Sequence, residues 1–253
     1  VMARRRRYNR KRRRGSFAFL YKLLAFVLIC GAIGLALAMF FRIEDIEVSG
    51  NRRYSKEQIT AAAEIQAGDN LFFLNKYDAA GRIRQKLPYV ETVQFRRVLP
   101  NRLVVQVTEC EDPVAIKQDG TVYLLCDRGN IVDTVSAAKW SQYIQIEGLM
   151  LLDPQVGREA RAVSTQQAVL ERLLSMLRLL EEKGMLAQVQ RIDLSDAARI
   201  TMGYLGRFEV QFQWDADFDY KLDYLAAVTD KLEANEKGVI DMTQDGKASF
   251  IPS

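Results

Sequence analysis

The groups with the most chemical capacity in this chain are three cysteines and 32 carboxylates, and they stand without a single histidine. That absence removes Ser-His-Asp and Cys-His nucleophile systems, imidazole-ligated zinc and the commonest general base. A carboxylate pair or a serine–lysine arrangement would be the remaining routes to hydrolysis of cell-wall polymers. Neither takes shape: no Ser-x-x-Lys comes with its supporting motifs, and the acids are scattered as strand faces and helix caps scatter them. Glycine-rich phosphate loops and Cys-x-x-Cys pairs are both missing. The most metal-like string is Asp215-Ala216-Asp217-Phe218-Asp219. An EF-hand loop opening at Asp215 needs Gly sixth and Glu twelfth, where the chain has Tyr220 and Ala226. Those acids read instead as the cap of a following helix. The expectation is a protein without catalytic residues, cofactor, metal or small-molecule substrate.

Where these groups work is set by the first forty residues. The stretch "RRRRYNRKRRR", residues 4–14, holds nine Lys or Arg in eleven positions. Residues 23–41 then run for nineteen positions without a charge, ~29 Å as a helix and enough to span a hydrocarbon core. No polar stripe interrupts the run, as one would in a soluble core helix. Ala36-Leu37-Ala38 has the small-x-small form of a cleavage site, but the apolar run before it is long for a signal peptide and continues past it; an uncleaved anchor is expected. Basic excess beside a first span keeps that end in the cytoplasm, which makes residues 1–22 a cytoplasmic arm and places residues 42–253 on the far side. Only Tyr8 offers the arm a stacking ring, so topology and lipid headgroups account for it better than nucleic acid does.

The net charge of +4 hides an asymmetry. Ten of the 36 basic residues lie in residues 1–22, leaving 26 against 32 acids beyond them, or −6. A mildly acidic outer portion carries no patch for nucleic acid. Of the cysteines, Cys30 lies in the apolar span, while Cys110 and Cys126 lie outside it. An oxidising compartment would let the outer two pair, yet nothing in the sequence fixes their Cα separation, and the sequence leaves open whether they bond.

The elements that would position side chains can be read from periodicity. "IEDIEVSG" alternates as a half-buried strand ending at Gly50. Ser55 and Gln58 form a capping box for a short helix, and a second helix runs from about Tyr77 to Leu87, stopped by Pro88. Strands at about residues 90–98 and 103–108 flank the turn Leu99-Pro100-Asn101-Arg102. A β-α-α-β-β order implies one small sheet covered by two helices. Further on, "TVYLLCDRGNIVDT" reads as a hairpin. Ser164 and Gln167 read as a capping box ahead of an amphipathic helix with Val169, Leu170, Leu173, Leu174, Leu177 and Leu180 in one stripe and Gly184 past its end. "VQRIDLSDAARITMGY" and "RFEVQFQW" read as strands, residues 220–234 as a helix, and residues 238–243 and 247–251 as two closing strands.

The run Leu87-Pro88, Val90, Val93, Arg97, Leu99-Pro100-Asn101, Val107, Glu109 and Pro113-Val114-Ala115 resembles the POTRA domain of the FtsQ/DivIB family, single-pass division proteins of bacteria. Cys110 stands where that family carries a basic residue, and Trp214 stands where it often has glycine. The resemblance implies an α+β fold: a cytoplasmic arm (1–22), a transmembrane helix (23–41), a POTRA domain (42–111) and an FtsQ-type antiparallel β-domain with flanking helices (112–253). It further implies a non-catalytic scaffold of the divisome in the cell membrane at the division septum.

The last strand of a meander is an edge, with unpaired main-chain groups that a partner strand can join. "KASFIPS" guards that edge only with Lys247 and Pro252. By resemblance, the receiving residues are Val239, Ile240, Asp241 and Met242 with Lys247, Ala248, Ser249 and Phe250, and the partner is an FtsB/DivIC-like protein with an FtsL-like companion. An alternative is a membrane-tethered POTRA factor that guides extended polypeptides in secretion or envelope assembly, though such factors usually carry several POTRA units or a β-barrel.

Overall fold

A computed structural model describes residues 17–244 and 246–253. The basic arm of residues 4–14 lies outside the described residues, as does Asp245 of the expected closing turn. The first helix, α1 (Phe17–Phe40), contains the apolar stretch Phe19–Leu37, and nothing among the described residues buries it. A surface this uniformly apolar has lipid as its natural solvent.

Beyond α1, β1 (Asp45–Ser49), α2 (Lys56–Ala63), α3 (Lys76–Lys86), β2 (Val90–Val98) and β3 (Arg102–Glu109) follow in the expected β-α-α-β-β order. The three strands form a sheet in the order β1-β3-β2, with β1 parallel and β2 antiparallel to the central β3. Local chemistry sets the helix ends. Ser55 Oγ accepts from Gln58 N–H at 3.2 Å while Gln58 Oε1 accepts from Ser55 N–H at 2.9 Å, the reciprocal box expected there. Asn75 caps α3 by accepting from the N–H groups of Tyr77 and Asp78. Gly50 ends β1 at φ 81°, and a Cβ there would overlap the Val107 carbonyl, so only glycine lets the strand leave the sheet. Ile43, Ile59, Leu71, Ile83 and Leu103 fill the core between helices and sheet.

The rest of the chain builds a nine-stranded sheet from β4 (Val114–Gln118), β5 (Thr121–Leu125), β6 (Ile131–Ser136), β7 (Ile144–Glu147), β8 (Val189–Asp193), β9 (Arg199–Tyr204), β10 (Phe208–Gln213), β11 (Gly238–Asp241) and β12 (Ser249–Pro252). Its order is β12-β11-β10-β9-β8-β7-β4-β5-β6. Two helices, α4 (Gln167–Glu182) and α5 (Phe218–Thr229), cover one face. Leu170, Leu173, Leu177 and Leu180 of α4 and Phe218, Leu222 and Leu225 of α5 pack on Ile192, Met202, Val210 and Phe212. Each such side chain contributes about 1.5–3 kcal/mol by leaving water.

The fold class is α+β as expected, but the large sheet is mixed rather than antiparallel. β10 pairs with β11, β4 with β7 and β7 with β8 in parallel. Parallel neighbours need a crossover, and α5 supplies it between β10 and β11. Helix bounds also move. The Ser164 box does not form: a 3-10 turn occupies Ser164–Gln166, and α4 starts at Gln167 without a side-chain cap. Gln166 is instead committed to distant main chain, accepting from Met150 N–H and donating to Gly148 O. The far end behaves as read. Gly184 takes φ 66°, Met185 N–H reaches Leu180 O and Gly184 N–H reaches Glu181 O, a Schellman closure. The expected helix at residues 220–234 starts earlier and ends earlier, because Asp217 caps it, accepting from Asp219 and Tyr220 N–H.

A third apolar cluster joins the small sheet unit to the large one. Tyr54 and Tyr89 from the first pack with Ala115, Val122, Leu124, Val132, Trp140 and Tyr143 of the second. Cys110 and Cys126, whose pairing the sequence left open, are joined in a disulfide there, with Cα atoms 6.1 Å apart. The reason is topological: β3 leads directly into β4, so Cys110 lies beside the end of β5, a neighbourhood that sequence spacing does not reveal.

Candidate partner-binding edge

β12 is an outermost strand, and among the described residues nothing pairs on its outer side. Its inner side is zipped to β11 in antiparallel register, Val239↔Ile251, Ile240↔Phe250 and Asp241↔Ser249. Ser253 N–H donates to Lys237 O at 3.0 Å, which makes that couple a hydrogen-bonded pair. Antiparallel pairs alternate, so Ile251 and Ser249 turn their main-chain groups toward β11 while those of Phe250 point outward, and Ala248, just ahead of the strand, is next in that series. Pro252 falls on the same outward set and has no N–H, so it closes the open ladder at its C-terminal end.

The opposite edge of the sheet is treated differently. At the start of β6, Ile131 N–H donates to Arg158 O at 2.9 Å and Ile131 O accepts from Gly157 N–H at 2.8 Å. A returning loop thus covers the start of β6, at Gly129 to Ile131, while among the described residues nothing covers β12.

The side chains of the eight expected site residues divide by face. Ile240 and Met242 are fully buried in the core under α5. Phe250, opposite Ile240, also turns to the core side, half-buried and edge-to-face on Phe208 at 6.0 Å between ring centres. Ala248 packs there too. On the other face, Val239, Asp241 and Ser249 are half-buried and Ile251 is exposed, while Lys247 is exposed in the turn. β11 is filled on both sides, by β10 and β12, so main-chain pairing is open on β12 alone. Gly238 holds the two strands close: it has φ 153°, and a Cβ would overlap the Ile251 carbonyl.

Electrostatics and capping keep this edge in place. Asp241 Oδ1 accepts from Thr243 N–H at 2.9 Å and Oγ1 at 2.6 Å, which ends β11 and holds the Asp241 carboxyl below its usual range. Lys221 of α5 is buried, and its Nζ donates to Met242 O at 2.9 Å and Gln244 O at 2.6 Å, tying the turn before β12 to the helix. Sequence reading passed over this lysine. The available signal was its place on the apolar stripe with Phe218, Leu222 and Leu225. The outer sheet face beside the edge is polar: Arg191 lies 3.9 Å from both Glu147 and Glu209. A shallow hollow of about 490 Å³ lies there, lined in part by Arg207, Val239 and Ser253.

Trp214, where the family often carries glycine, is accommodated without breaking the strand end. Its N–H donates to Ala198 O and its carbonyl accepts from Arg172 Nε at 3.1 Å. The string Asp215 to Asp219 caps α5 through Asp217, as expected. Ser136, the last residue of β6, and Lys139, on the 3-10 turn that follows, make a Ser-x-x-Lys spacing, with both residues exposed.

A β-α-α-β-β unit followed by a mixed sheet with an open end, behind a helix long and apolar enough to cross a membrane, is the make-up of a POTRA-bearing protein. Residues 41–109 match the POTRA domain, FtsQ-type, and residues 114–243 match the C-terminal region of cell division protein FtsQ/DivIB. The chain belongs to the FtsQ/DivIB family of cell division proteins. It is 26% identical to cell division protein DivIB of Clostridium botulinum (strain Hall) over 220 residues, covering 83% of this chain and 82% of that protein. It is 28% identical to cell division protein FtsQ of Syntrophotalea carbinolica over 205 residues, covering 80% of this chain and 70% of that one. The C-terminal match ends at residue 243, so β11 lies inside it and β12 beyond it.

Proposed function

We propose that the chain is a non-catalytic, membrane-anchored scaffold of the bacterial divisome, and that β12 captures an FtsB/DivIC-like segment, with its FtsL-like companion, by strand addition. The observation that supports this reading is the outward main chain of β12 at Phe250, on an edge that nothing among the described residues covers. Family membership supports the setting, since the matched relatives are named as cell division proteins. In this reading α1 crosses the cell membrane once, with the basic arm in the cytoplasm and residues 42–253 outside it at the septum. The POTRA domain, to residue 111, spaces the β-domain from the bilayer. Main-chain bonds supply affinity. Selection falls to side chains alternating against Ile251 and Ser249 on one face and Phe250 on the other.

The test disrupts the open edge with two single substitutions, at Ala248 just ahead of β12 and at Ile251 within it. Ala248→Pro deletes an outward donor, and edge strands tolerate proline. Ile251→Asp places a charge on the exposed face beside the incoming strand. Full-length variants are co-purified with FtsB/DivIC-like and FtsL-like proteins in detergent, with circular dichroism verifying that the fold survives. At least tenfold weaker capture by both folded variants is expected. Capture at wild-type level by folded Ala248→Pro sinks strand addition at β12.

A further inference from the structure

The POTRA unit does not hang from α1 on a linker; it is clamped to the helix end. Asn70 Nδ2 donates to Leu37 O at 2.9 Å, inside the last turns of α1. Leu71 N–H donates to Phe41 O at 2.9 Å, Ile43 N–H to Asp69 O at 2.7 Å and Gly68 N–H to Ile43 O at 2.8 Å. Phe41 and Phe72 stack edge-to-face at 5.0 Å. Four hydrogen bonds and a ring pair therefore hold the loop of residues 68–73 against the last residues of the apolar stretch Phe19–Leu37 and those just after it. Leu37 to Phe40 is only ~5 Å of helix, so this loop lies at the depth where the span leaves the hydrocarbon.

A second segment comes to the same level. β1 begins at Asp45, paired with Arg102, and Arg102 pairs in turn with Val98. The β2–β3 turn is thus at the helix end of the sheet, and Asn101 O accepts from Glu44 N–H at 2.9 Å. The two segments, with the first turn of α3 that follows the loop, present large apolar side chains outward: Phe73 is 74% exposed, Tyr77 90%, Leu99 56% and Phe72 42%. Most other large exposed apolar groups of the chain are on α1 itself. Residues this apolar on one rim of a small domain call for a cover.

We propose that this rim is a lipid-binding surface: Phe72, Phe73, Tyr77 and Leu99 insert into the interfacial zone of the membrane leaflet on the POTRA side, and so fix the domain's tilt on the bilayer. The occupant follows from continuity, because the rim is hydrogen-bonded to the end of the span, and lipid is already beside it. Rings with one apolar and one polar end favour that depth. Charge near the rim is balanced, with Arg42, Lys76 and Arg97 against Glu44, Asp69 and Asp78. Insertion is accordingly driven by apolar area, with little preference between anionic and zwitterionic headgroups. The proposal rests on the reading of α1 as a membrane span and is independent of what β12 captures.

The experiment uses the full chain in phospholipid vesicles carrying nitroxide labels either near the headgroup or deep in the acyl chain. An environment-sensitive fluorophore is attached at native Cys30, or, in a Cys30→Ser background, at Phe73→Cys, Leu99→Cys or Tyr220→Cys. Cys30 is expected to be quenched most by the deep label, which reports the span. Positions 73 and 99 are expected to be quenched at least threefold more by the shallow label than the exposed control at 220, equally in phosphatidylglycerol and phosphatidylcholine. If Cys30 is quenched and positions 73 and 99 behave like 220, the rim proposal is overturned while the span stands. If Cys30 is not quenched, the span fails and the rim proposal with it. Shielding at 73 and 99 without lipid quenching, reversed by diluting the protein into excess lipid, means that a second copy covers the rim and also overturns it.

Discussion

Two buried charged side chains act on main chain, and each can be tested alone. Glu109 ends β3, and its carboxylate accepts from the N–H groups of Arg52 at 2.9 Å, Arg53 at 2.6 Å and Tyr54 at 3.2 Å. That one side chain satisfies the loop between β1 and α2 and sets Arg53 3.7 Å over the Tyr89 ring. Glu109→Ala leaves the three donors without it and is expected to cost about 2–3 kcal/mol, a melting-point drop of roughly 4–12 °C by calorimetry. Glu109→Gln keeps an acceptor oxygen and should lose less. A Glu109→Ala protein that melts with wild type would show the loop to be held otherwise. Lys221 does the same service for the turn ahead of β12. Lys221→Met is expected to speed amide exchange in β12 at least tenfold while core amides of β9 and β10 change little. Uniform exchange across the sheet would place the lysine's role in global stability instead. Glu109 stood inside the recognised sequence run, but its three partners lie more than fifty positions away and leave no local trace. Lys221 was legible in part, as a charge on an apolar stripe.

At the scale of elements, alternation and caps carried most of the reading, because they are local. β2, the β5–β6 hairpin, β9 and β10 follow period-two patterns bounded by turn residues, and Ser55 with Gln58 closes a true box. What failed depended on distance. Ser164 and Gln167 have the same spacing, yet the loop strand at Gly148 and Met150 claims Gln166, and α4 begins past the Ser164–Gln166 3-10 turn. β7 is only four residues long, too short for periodicity to register. The parallel pairing of β10 with β11 was implicit in the strand-helix-strand order, since a helix between neighbouring strands requires a crossover. The edge at β12 was foreseen; the side to which Phe250 turns was left open by the sequence, and it packs on the core. Gly238 tests the element directly. With a Cβ overlapping the Ile251 carbonyl, Gly238→Ala should separate β12 from β11. Amide protection of Val239 and Ile251 is expected to fall at least tenfold, and capture of a partner strand with it. Protection at wild-type level would mean that the two strands accommodate the methyl by sliding.

Across the whole molecule, the junction between the two sheet units is where solution conditions enter. β3 runs through the Cys110–Cys126 disulfide into the large sheet, Tyr89 Oη donates to Asp133 at 3.3 Å, and Glu91 meets Arg128 at 3.4 Å. Reduction of the disulfide opens a loop of sequence separation 16 and should cost about 2–4 kcal/mol, read as a lower melting point in reductant that a Cys110→Ser/Cys126→Ser protein no longer shows. Glu91 adds pH to the same junction. Burial, then the hydrogen bond and charge of Asp127, push its carboxyl up to about 8; Arg128 opposes, and Glu181 adds to the rise. In the unfolded chain the same group ionises near its ordinary value of 4.5. Between those limits the native state holds a proton that the unfolded state has released. Its contribution is therefore complete below about pH 4.5 and is lost as pH rises through about 8, at up to ~1.4 kcal/mol per pH unit. Glu181, also raised by burial, steepens the acid part of that window. The lowered carboxyls Asp193, Asp196 and Asp241 act the other way, but below their ordinary values, outside it. Glu91→Gln keeps a neutral partner for Asp127 and abolishes the titration. It should melt with wild type near pH 5 and above it at pH 8, where wild type has a charge to bury. Parallel melting curves for the two proteins from pH 5 to 8 would show that Arg128 neutralises Glu91 and that the junction is insensitive to pH.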